Sequence, residues 1–242
     1  MWFDAKGQRM EAPFLPGFDT LGTLRRILQA GEHSWFILTQ KIIEKEFALS
    51  GSEQNRDLTE GGWIDVLKAR LGTGATPAVE AFKNKGADFV VADDLENLVA
   101  GMNRLTPDQP VDFDGIRSQI VSRDAQLTNP FSKDAQITAI RGARSYRGDR
   151  LIRTAKPHAI LDAQNGPLIA VRLNILTRKS LGGLHTDIAG RVLTPDGAVL
   201  HGLYAAGEVS GFGGGGYHGY NALEGTFLGG CLFSGRIAGQ NA

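Results

Sequence analysis

The stretch GEVSGFGGGGYHGYNALEG (residues 207–225) sets Glu208, Tyr217, His218 and Tyr220 within a dense run of glycines. Because glycine has no Cβ atom, such a run lets backbone N–H groups come close to a ligand. A helix predicted directly after the stretch adds unpaired N–H groups and the partial positive charge of its N-terminus. The stretch therefore predicts a cradle for an electron-rich ligand.

Residues 211–216 match the letters G-x-G-x-x-G of dinucleotide-binding loops. A dinucleotide-binding unit also requires a second strand and an acid about 20 residues further on, which holds the ribose. The corresponding window, GCLFSGRIAGQNA (residues 230–242), contains no acid and no strand pattern. The stretch is therefore not a free-standing dinucleotide fold, although its glycines still suit phosphate oxygens or the carbonyl edge of a flavin.

The composition is that of an ordinary soluble globular protein. Basic and acidic residues number 26 each, so no net charge points to nucleic acid or to an anionic membrane surface. The chain has one cysteine, Cys231, which excludes an internal disulfide and favours a cytoplasmic location. We find no signal peptide pattern and no apolar run of about 18 residues, and we predict no metal site.

Hydrophobic spacing predicts a mixture of helices and strands. Asp93 or Asp94, and Asp112, are expected to cap two central helices, with Ile116, Ile120 and Val121 on one face of the second. The predicted elements are a strand with a turn at 6–8, a helix over 20–30, a strand leading into a helix over 35–49, a loop at 51–62, a helix over 63–70, a strand over 89–92 followed by the two capped helices, a strand over 167–176, strands within 182–200 with turns at 189–190 and 195–197, and a helix over 223–239.

The last of these helices is rich in small residues. Gly225, Gly229, Gly235 and Gly239 have G-x-x-x-G spacings, which we expect to allow close packing against a sheet or a flat ligand. Its large apolar side chains argue against a flexible tail, because in a tail they would be exposed to water: Leu223, Phe227, Leu228, Leu232, Phe233 and Ile237.

Basic residues recur at every third position from Arg141 to Lys156. Three interpretations stay open: a phosphate-binding stripe, a solvated connector, or one or two arginines that face an anionic ligand. A helix with 3.6 residues per turn would spread a period of three around its surface. The zero net charge also counts against nucleic acid as a partner.

Several motifs together resemble the superfamily of FAD-dependent fumarate reductases and ketosteroid dehydrogenases, in particular its branch of FAD-binding dehydrogenases. GLYAAGEVSG, HGYNALEG and GGCLFSGRIAG resemble the C-terminal end of that family, and MWFDAKGQRM resembles its strand V-x-x-x-G-x-R-F. SWFILTQKI resembles the segment I-F-D-Q-K, and GPLIAVRLNILTRKSLGGLHTD resembles the strand pair that leads back to the flavin. The resemblance extends over essentially the whole chain.

The resemblance implies an α/β fold with a discontinuous FAD domain, since family members leave that domain to build a cap and return to it at the end. Residues 1–150 would form part of an α+β cap, or substrate, domain. Residues 151–242 would form the C-terminal returning segment of the Rossmann-like FAD domain. The chain would then be the C-terminal half of a family member, with the missing N-terminal half of the FAD domain as a partner.

The resemblance also implies FAD as the cofactor. Glu208 would accept hydrogen bonds from FAD hydroxyls, and the N–H groups at the start of the last helix would stabilise negative charge at flavin N1 and O2. The expected cofactor-binding residues are Gly182, Gly183, Gly207, Glu208, Gly215, Gly216, Asn221, Ala222, Leu223 and Glu224.

Departures from the family pattern bear on the substrate. Fumarate reductases carry His-Thr-x-Gly-Gly where this chain has Lys-Ser-Leu-Gly-Gly at 179–183, and Asn-Arg-Leu where it has Asn-Ala-Leu at 221–223. The histidine and arginine that clamp a dicarboxylate are thus absent, which counts against fumarate or succinate. Ketosteroid dehydrogenases carry Tyr-x-Gly-x-Gly, and residues 217–221 keep the tyrosine but have asparagine at the last position.

The implied activity is that of an FAD-dependent dehydrogenase or reductase acting on a CH-CH group. A hydride would pass between flavin N5 and a carbon of a C–C bond next to a carbonyl, aided by a proton donor or acceptor. The candidate catalytic residues are Tyr217, His218, Tyr220, Arg147 and Arg150. The substrate would be a small molecule, steroid-like or an enone, and a homo-oligomer is left open. The alternatives are an autonomous phosphate- or nucleotide-binding module and an inactive fragment without bound cofactor.

Overall fold

The computed structural model describes residues 1–11, 20–47, 64, 74–152, 154–176, 183–211 and 227–242. The chain divides into two compact units, each of which is described by itself. The first unit comprises Met1–Met10 and Ala30–Asn174, and the second comprises Glu11–Gln29 and Ile175–Ala242.

Helices and strands are mixed along the described residues, as the sequence predicts. In chain order they are β1 (Trp2–Asp4), α1 (Thr20–Ala30), β2 (His33–Thr39), α2 (Gln40–Glu46), α3 (Pro77–Lys85), β3 (Phe89–Ala92), α4 (Leu95–Leu105), α5 (Phe113–Ala125), α6 (Ala135–Ala143), α7 (Arg147–Ile152), β4 (Leu168–Asn174), β5 (Arg191–Leu193), β6 (Val199–Tyr204) and α8 (Phe227–Asn241). The predicted loop at 51–62 and helix at 63–70 lie outside the described residues, apart from Ile64.

The first unit is built on an antiparallel sheet with the strand order β1-β2-β4-β3. Successive residues of a strand point to opposite faces, so β2 and β4 contribute to two cores. One face buries Trp35, Ile37 and Ala170 against α4 and α5. The other face buries Ile169 and Val171 together with Ile43 of α2 and Val79 of α3.

The central helices begin where the sequence places their caps. The carboxylate of Asp94 accepts a hydrogen bond from the Asn97 amide at 2.8 Å, and that of Asp112 accepts one from the Gly115 amide at 2.6 Å. Val121 does not share a face with Ile116 and Ile120 as predicted, because those two residues are buried and Val121 is 46% exposed. The buried stripe of α5 consists of positions four residues apart, and a residue directly after such a position points away from the core.

The first strand is followed by a tight turn that is tied to two helices. Gly7 has a φ of +74°, a conformation that favours glycine. Its carbonyl accepts a hydrogen bond from the Gln119 side chain of α5 at 2.8 Å. Arg9, on the returning segment, pairs with Asp134, whose carboxylate also caps α6 by accepting from the Ile137 amide.

The basic run from Arg141 to Lys156 contains two short helices rather than a uniform connector. The guanidinium of Arg141 donates to the carbonyls of Leu127 and Asn129 at 2.9 and 3.1 Å. That of Arg144 donates to the carbonyl of Thr154. These two arginines therefore stabilise the ends of segments within the first unit and do not form a phosphate-binding stripe.

In the second unit β5 and β6 form an antiparallel hairpin. The turns predicted at 189–190 and 195–197 are confirmed, and Gly190 and Gly197 have φ values of +81° and +88°. Residues 151–174, which the sequence assigns to the returning segment, belong to the first compact unit. Which unit is the cap and which is part of the FAD domain stays a prediction.

Candidate functional site

The segment after β6 forms a short 3-10 turn, Gly207–Val209, that carries Glu208. Gly207 is buried and has a φ of +67°. A Cβ atom added to it would lie 3.2 Å from Sγ of Cys231 on α8. The turn is closed by its own hydrogen bonds, since the amide and the hydroxyl of Ser210 both donate to the Gly207 carbonyl, at 3.1 and 2.9 Å.

The backbone of Gly183 lies directly against the residues that follow this turn. Gly183 and Ser210 form an antiparallel bridge, and the Leu184 amide donates to the Val209 carbonyl at 2.7 Å. A Cβ atom on Gly183 would lie 2.2 Å from the Gly211 nitrogen and 2.4 Å from the Val209 oxygen. The structure thus brings together two segments that the sequence assigns to the cofactor, at a separation that only glycine allows.

Helix α8 packs on these segments through small side chains. Gly207 lies against Cys231 and donates its N–H to Oγ of Ser234 at 2.9 Å. One helical turn after Ser234, Ala238 lies against Gly190. A Cβ atom added to Gly190 would lie 2.9 Å from the Cβ of Ala238. The contact stripe is therefore Cys231, Ser234 and Ala238, which follow the i, i+3, i+7 spacing of one helix face.

This stripe corrects two expectations about the helix. No described atom lies within 4 Å of a Cβ added to Gly229, Gly235 or Gly239, so these glycines make no close contact here. The sequence also predicted that the large apolar side chains of the helix are buried, and for three of them this is wrong. Leu228, Leu232 and Phe233 are 65%, 70% and 65% exposed.

A cavity that the sequence analysis missed lies within the first unit. It has a volume of about 100 Å³ and is lined by residues of β2, α2, α5, α6 and the segment 155–160. Arg123, which is 4% exposed, donates from Nη1 to the His158 carbonyl at 2.6 Å and to Asp124 at 2.8 Å. Its Nε is buried without a hydrogen-bond partner among the described residues. The cavity has room for a few water molecules.

His158 and Glu46, which line this cavity, have shifted pKa values. Nδ1 of His158 donates to the Lys156 carbonyl at 2.8 Å, so Nε2 is free to accept from the Thr39 hydroxyl, also at 2.8 Å. Burial lowers the pKa of His158, which keeps the imidazole neutral. Burial raises the pKa of Glu46, although its carboxylate accepts a hydrogen bond from the Ala155 amide. A single histidine in a loop has no spacing pattern, so the sequence offered no signal for this cluster.

Comparison with known proteins decides the family. The family model for an FAD binding domain matches residues 1–228. The chain belongs to this FAD-binding family. The predicted family is confirmed, and the family indicates FAD as the cofactor.

Relatives of this FAD-binding chain include steroid dehydrogenases. A KsdD-like steroid dehydrogenase of Mycobacterium tuberculosis is 56% identical over 243 residues, which cover 100% of this chain and 43% of the relative. One of Mycolicibacterium smegmatis is 56% identical over 229 residues, 94% of this chain and 42% of the relative. The chain thus spans less than half the length of these curated relatives.

A solved structure supports the fold of this FAD-binding chain. The 3-ketosteroid delta1-dehydrogenase of Sterolibacterium denitrificans, in complex with 1,4-androstadiene-3,17-dione, aligns with a TM-score of 0.59 and 18% identity. The alignment covers 99% of this chain and 38% of that one. At this identity the likeness concerns the fold alone.

The structure describes only part of the predicted site of this FAD-binding chain. Gly183 and Gly207 are in close contact with their neighbours, and Glu208 is exposed beside them. Arg147 and Arg150 lie on α7 of the first unit, and both are exposed. The remaining predicted residues lie outside the described residues: Gly182, Gly215, Gly216, Tyr217, His218, Tyr220, Asn221, Ala222, Leu223 and Glu224.

Two searches of the described residues gave no further site. No group of three or more His, Cys, Asp or Glu side chains is placed to hold a metal ion there. Within the same ranges, none of the helices has the length and apolar character needed to cross a membrane.

Proposed function

We propose that this chain forms part of the flavin and substrate sites of an FAD-dependent dehydrogenase or reductase that acts on a CH-CH group. The substrate would be a steroid-like ketone or another enone, oxidised or reduced at the C–C bond next to its carbonyl. The match to the FAD-binding family and the steroid dehydrogenases among its relatives support this proposal. The absence of the dicarboxylate-clamping histidine and arginine from 179–183 and 221–223 favours a ketone over fumarate.

The observation that carries the proposal is the contact between Gly183 and the backbone of Val209–Gly211. The family resemblance assigns both segments to the flavin, although about 25 residues separate them in sequence. Side chains are excluded from this contact, which lies beside Glu208 in the chain. Backbone without intervening side chains is what the close approach of a flavin ring and its ribityl chain would require.

The residue roles follow from chemistry that FAD supplies at N5, which is hydride transfer to or from a substrate carbon. Glu208 would accept hydrogen bonds from FAD hydroxyls, and Gly182, Gly183, Gly207, Gly215 and Gly216 would allow close approach. The backbone N–H groups from Asn221 to Glu224 would stabilise negative charge at the carbonyl edge of the ring.

Two sets of candidate side chains are proposed to take part in substrate binding. Tyr217, His218 or Tyr220 would polarise the ketone or move the proton that accompanies the hydride. Arg147 or Arg150 would donate a proton or hold an anionic group, for which their exposure makes them available. In this proposal residues 1–150 form part of the cap domain, and residues 151–242 form the C-terminal segment of a discontinuous Rossmann-like FAD domain.

Flavin binding is the first test. Two proteins would be purified in the presence of FAD. One is the chain itself, and the other is a chimera in which the chain replaces the matching region of the M. tuberculosis relative. The visible spectrum of each protein reports bound flavin. We expect bound flavin in the chimera. Substitution of Glu208→Gln should weaken FAD binding roughly tenfold, since a charge-assisted hydrogen bond becomes a neutral one. The control Glu96→Gln, at an exposed position on α4, should have no effect.

Turnover is the second test. The chimera is assayed with a 3-ketosteroid and an artificial electron acceptor, and separately with fumarate and a reduced dye. We expect oxidation of the ketosteroid and no reduction of fumarate. A chimera without flavin, when the relative itself carries it, would overturn the proposal. A flavin-bearing chimera that reduces fumarate would overturn the substrate class.

A further inference from the structure

We propose that Ser234 is a positioning residue that holds the turn Gly207–Val209 on helix α8 and thereby sets the position of Glu208 for FAD. The proposal rests on the proposed function, because it concerns the same cofactor site. Ser234 itself is not expected to contact the cofactor.

The hydroxyl of Ser234 makes a directional pair of hydrogen bonds. It donates to the Gly230 carbonyl, one helical turn earlier, at 2.7 Å. A hydroxyl has one proton to donate, so this bond fixes the direction of its lone pairs. The Gly207 amide donates to the hydroxyl oxygen at 2.9 Å. The backbone of the turn is thus hydrogen-bonded to the helix through a single side chain.

The amide of Gly207 depends on this bond. Gly207 is buried, and a buried N–H that has lost its acceptor is strongly unfavourable. The residue also lies at a φ of +67° in contact with Cys231, so the turn has little room to rearrange around a missing acceptor. Loss of the hydroxyl should therefore open the turn rather than merely lengthen one bond.

The opening would reach both parts of the candidate site. Glu208 directly follows Gly207, and the Gly211 amide donates to its carbonyl at 2.9 Å. Val209 and Ser210 in turn pair with the segment from Gly183 to Leu184. A displaced turn thus moves the carboxylate expected at the FAD hydroxyls and loosens the backbone contact beside it.

The test compares three variants of the chain. Ser234→Ala removes the hydroxyl, and Ser234→Thr keeps a hydroxyl that can bond the same carbonyl one turn back. Gly235→Ala is the matched control, because it adds a methyl group to the same turn of the helix at a position with no described atom within 4 Å. Amide hydrogen exchange of residues 207–211 reports the turn. FAD affinity and the visible circular dichroism of bound flavin, measured in the chain or in the chimera, report the cofactor site.

We expect Ser234→Ala to accelerate exchange at the Gly207 amide and to weaken FAD binding about three- to tenfold, the effect of one ordinary hydrogen bond. Its flavin dichroism should change shape, whereas Ser234→Thr should restore both readouts and Gly235→Ala should leave both unchanged. Unchanged exchange in Ser234→Ala, no rescue by threonine, or the same effect from Gly235→Ala would overturn the proposal. If neither wild-type protein binds FAD, the proposed function fails, and the exchange measurement alone still decides whether Ser234 holds the turn.

Discussion

The guanidinium of Arg9 donates two parallel hydrogen bonds to the carboxylate of Asp134, from Nη1 to Oδ2 at 2.5 Å and from Nη2 to Oδ1 at 3.0 Å. The side chain of Asp134 is 10% exposed and that of Arg9 is 26% exposed. The pair joins the turn after β1 to the N-terminus of α6, over 125 residues of sequence. Such bidentate pairs depend on the planar fork of arginine as well as on its charge.

We predict that Arg9→Lys lowers the free energy of unfolding by about 1 to 2 kcal/mol, because lysine keeps the charge but loses one of the two charge-assisted bonds. Urea denaturation followed by circular dichroism measures the change. Arg117→Lys, at an exposed position on α5, should change the value by less than about 0.5 kcal/mol. Equal stability of Arg9→Lys and the wild type would show that the second hydrogen bond of the pair contributes nothing.

The same carboxylate predicts a dependence of stability on pH. Burial of Asp134 would raise its pKa, but the hydrogen bonds from Arg9 and the Ile137 amide and the charge of Arg9 outweigh burial, so the pKa is lowered. The stabilisation is therefore present above the unfolded pKa of about 3.9 and is lost as the pH falls through the lower folded value. The difference in unfolding free energy between wild type and Asp134→Asn should be constant near neutral pH and should shrink below about pH 4. A difference that grows in acid would contradict this assignment.

We predict that His158 is neutral at pH 7 and titrates below the ordinary value of about 6.5, because burial disfavours the imidazolium. The Nδ1 proton should be protected by its bond to the Lys156 carbonyl. NMR titration of the imidazole carbon-bound protons measures the midpoint in the folded chain. The same histidine in the urea-unfolded chain provides the reference, and a folded midpoint at or above that reference would refute the prediction.

Gly183→Ala should disrupt the contact between its segment and Val209–Gly211. The added methyl group would lie within 2.6 Å of three backbone atoms, and backbone atoms cannot move aside as a flexible side chain can. We expect a local destabilisation of about 2 kcal/mol or more. Faster exchange of the Leu184 amide, which bonds the Val209 carbonyl, reports the loss. Gly239→Ala, on an open part of α8, should leave that exchange unchanged or slightly slower.

Local sequence signals predicted most of the helices and strands of the first unit. The caps at Asp94 and Asp112 and the strand β3 lie where residue type and apolar spacing place them. Among the described residues of the first unit, α3, α6 and α7 were not predicted, although the sequence carries signals for two of them. Pro77 occupies the first turn of α3, and Asp134 caps α6 through the Ile137 amide.

The contacts of the candidate site could not be predicted in the same way. Gly183 meets Ser210 through backbone atoms of both residues, and Gly207 meets the Ser234 hydroxyl through its backbone amide. Backbone atoms leave no pattern of residue types in the sequence. The sequence identified the glycines from their resemblance to a family. Nothing in the sequence indicated that the hydroxyl of Ser234, on α8, accepts a hydrogen bond from the amide of Gly207.

The packing of α8 has a consequence for how substitutions there should be judged. Its contact face is made of Cys231, Ser234 and Ala238, while Leu228, Leu232 and Phe233 are largely exposed in this structure. Tolerance at Cys231 and Ala238 is governed by side-chain volume, whereas position 234 also requires its hydroxyl. A conservative exchange by hydrophobicity, such as alanine to leucine at 238, would push the turn at Gly190 away from the helix. The exchange of cysteine for serine at 231 is large on a hydrophobicity scale, but it would leave the distance between the helix and Gly207 intact.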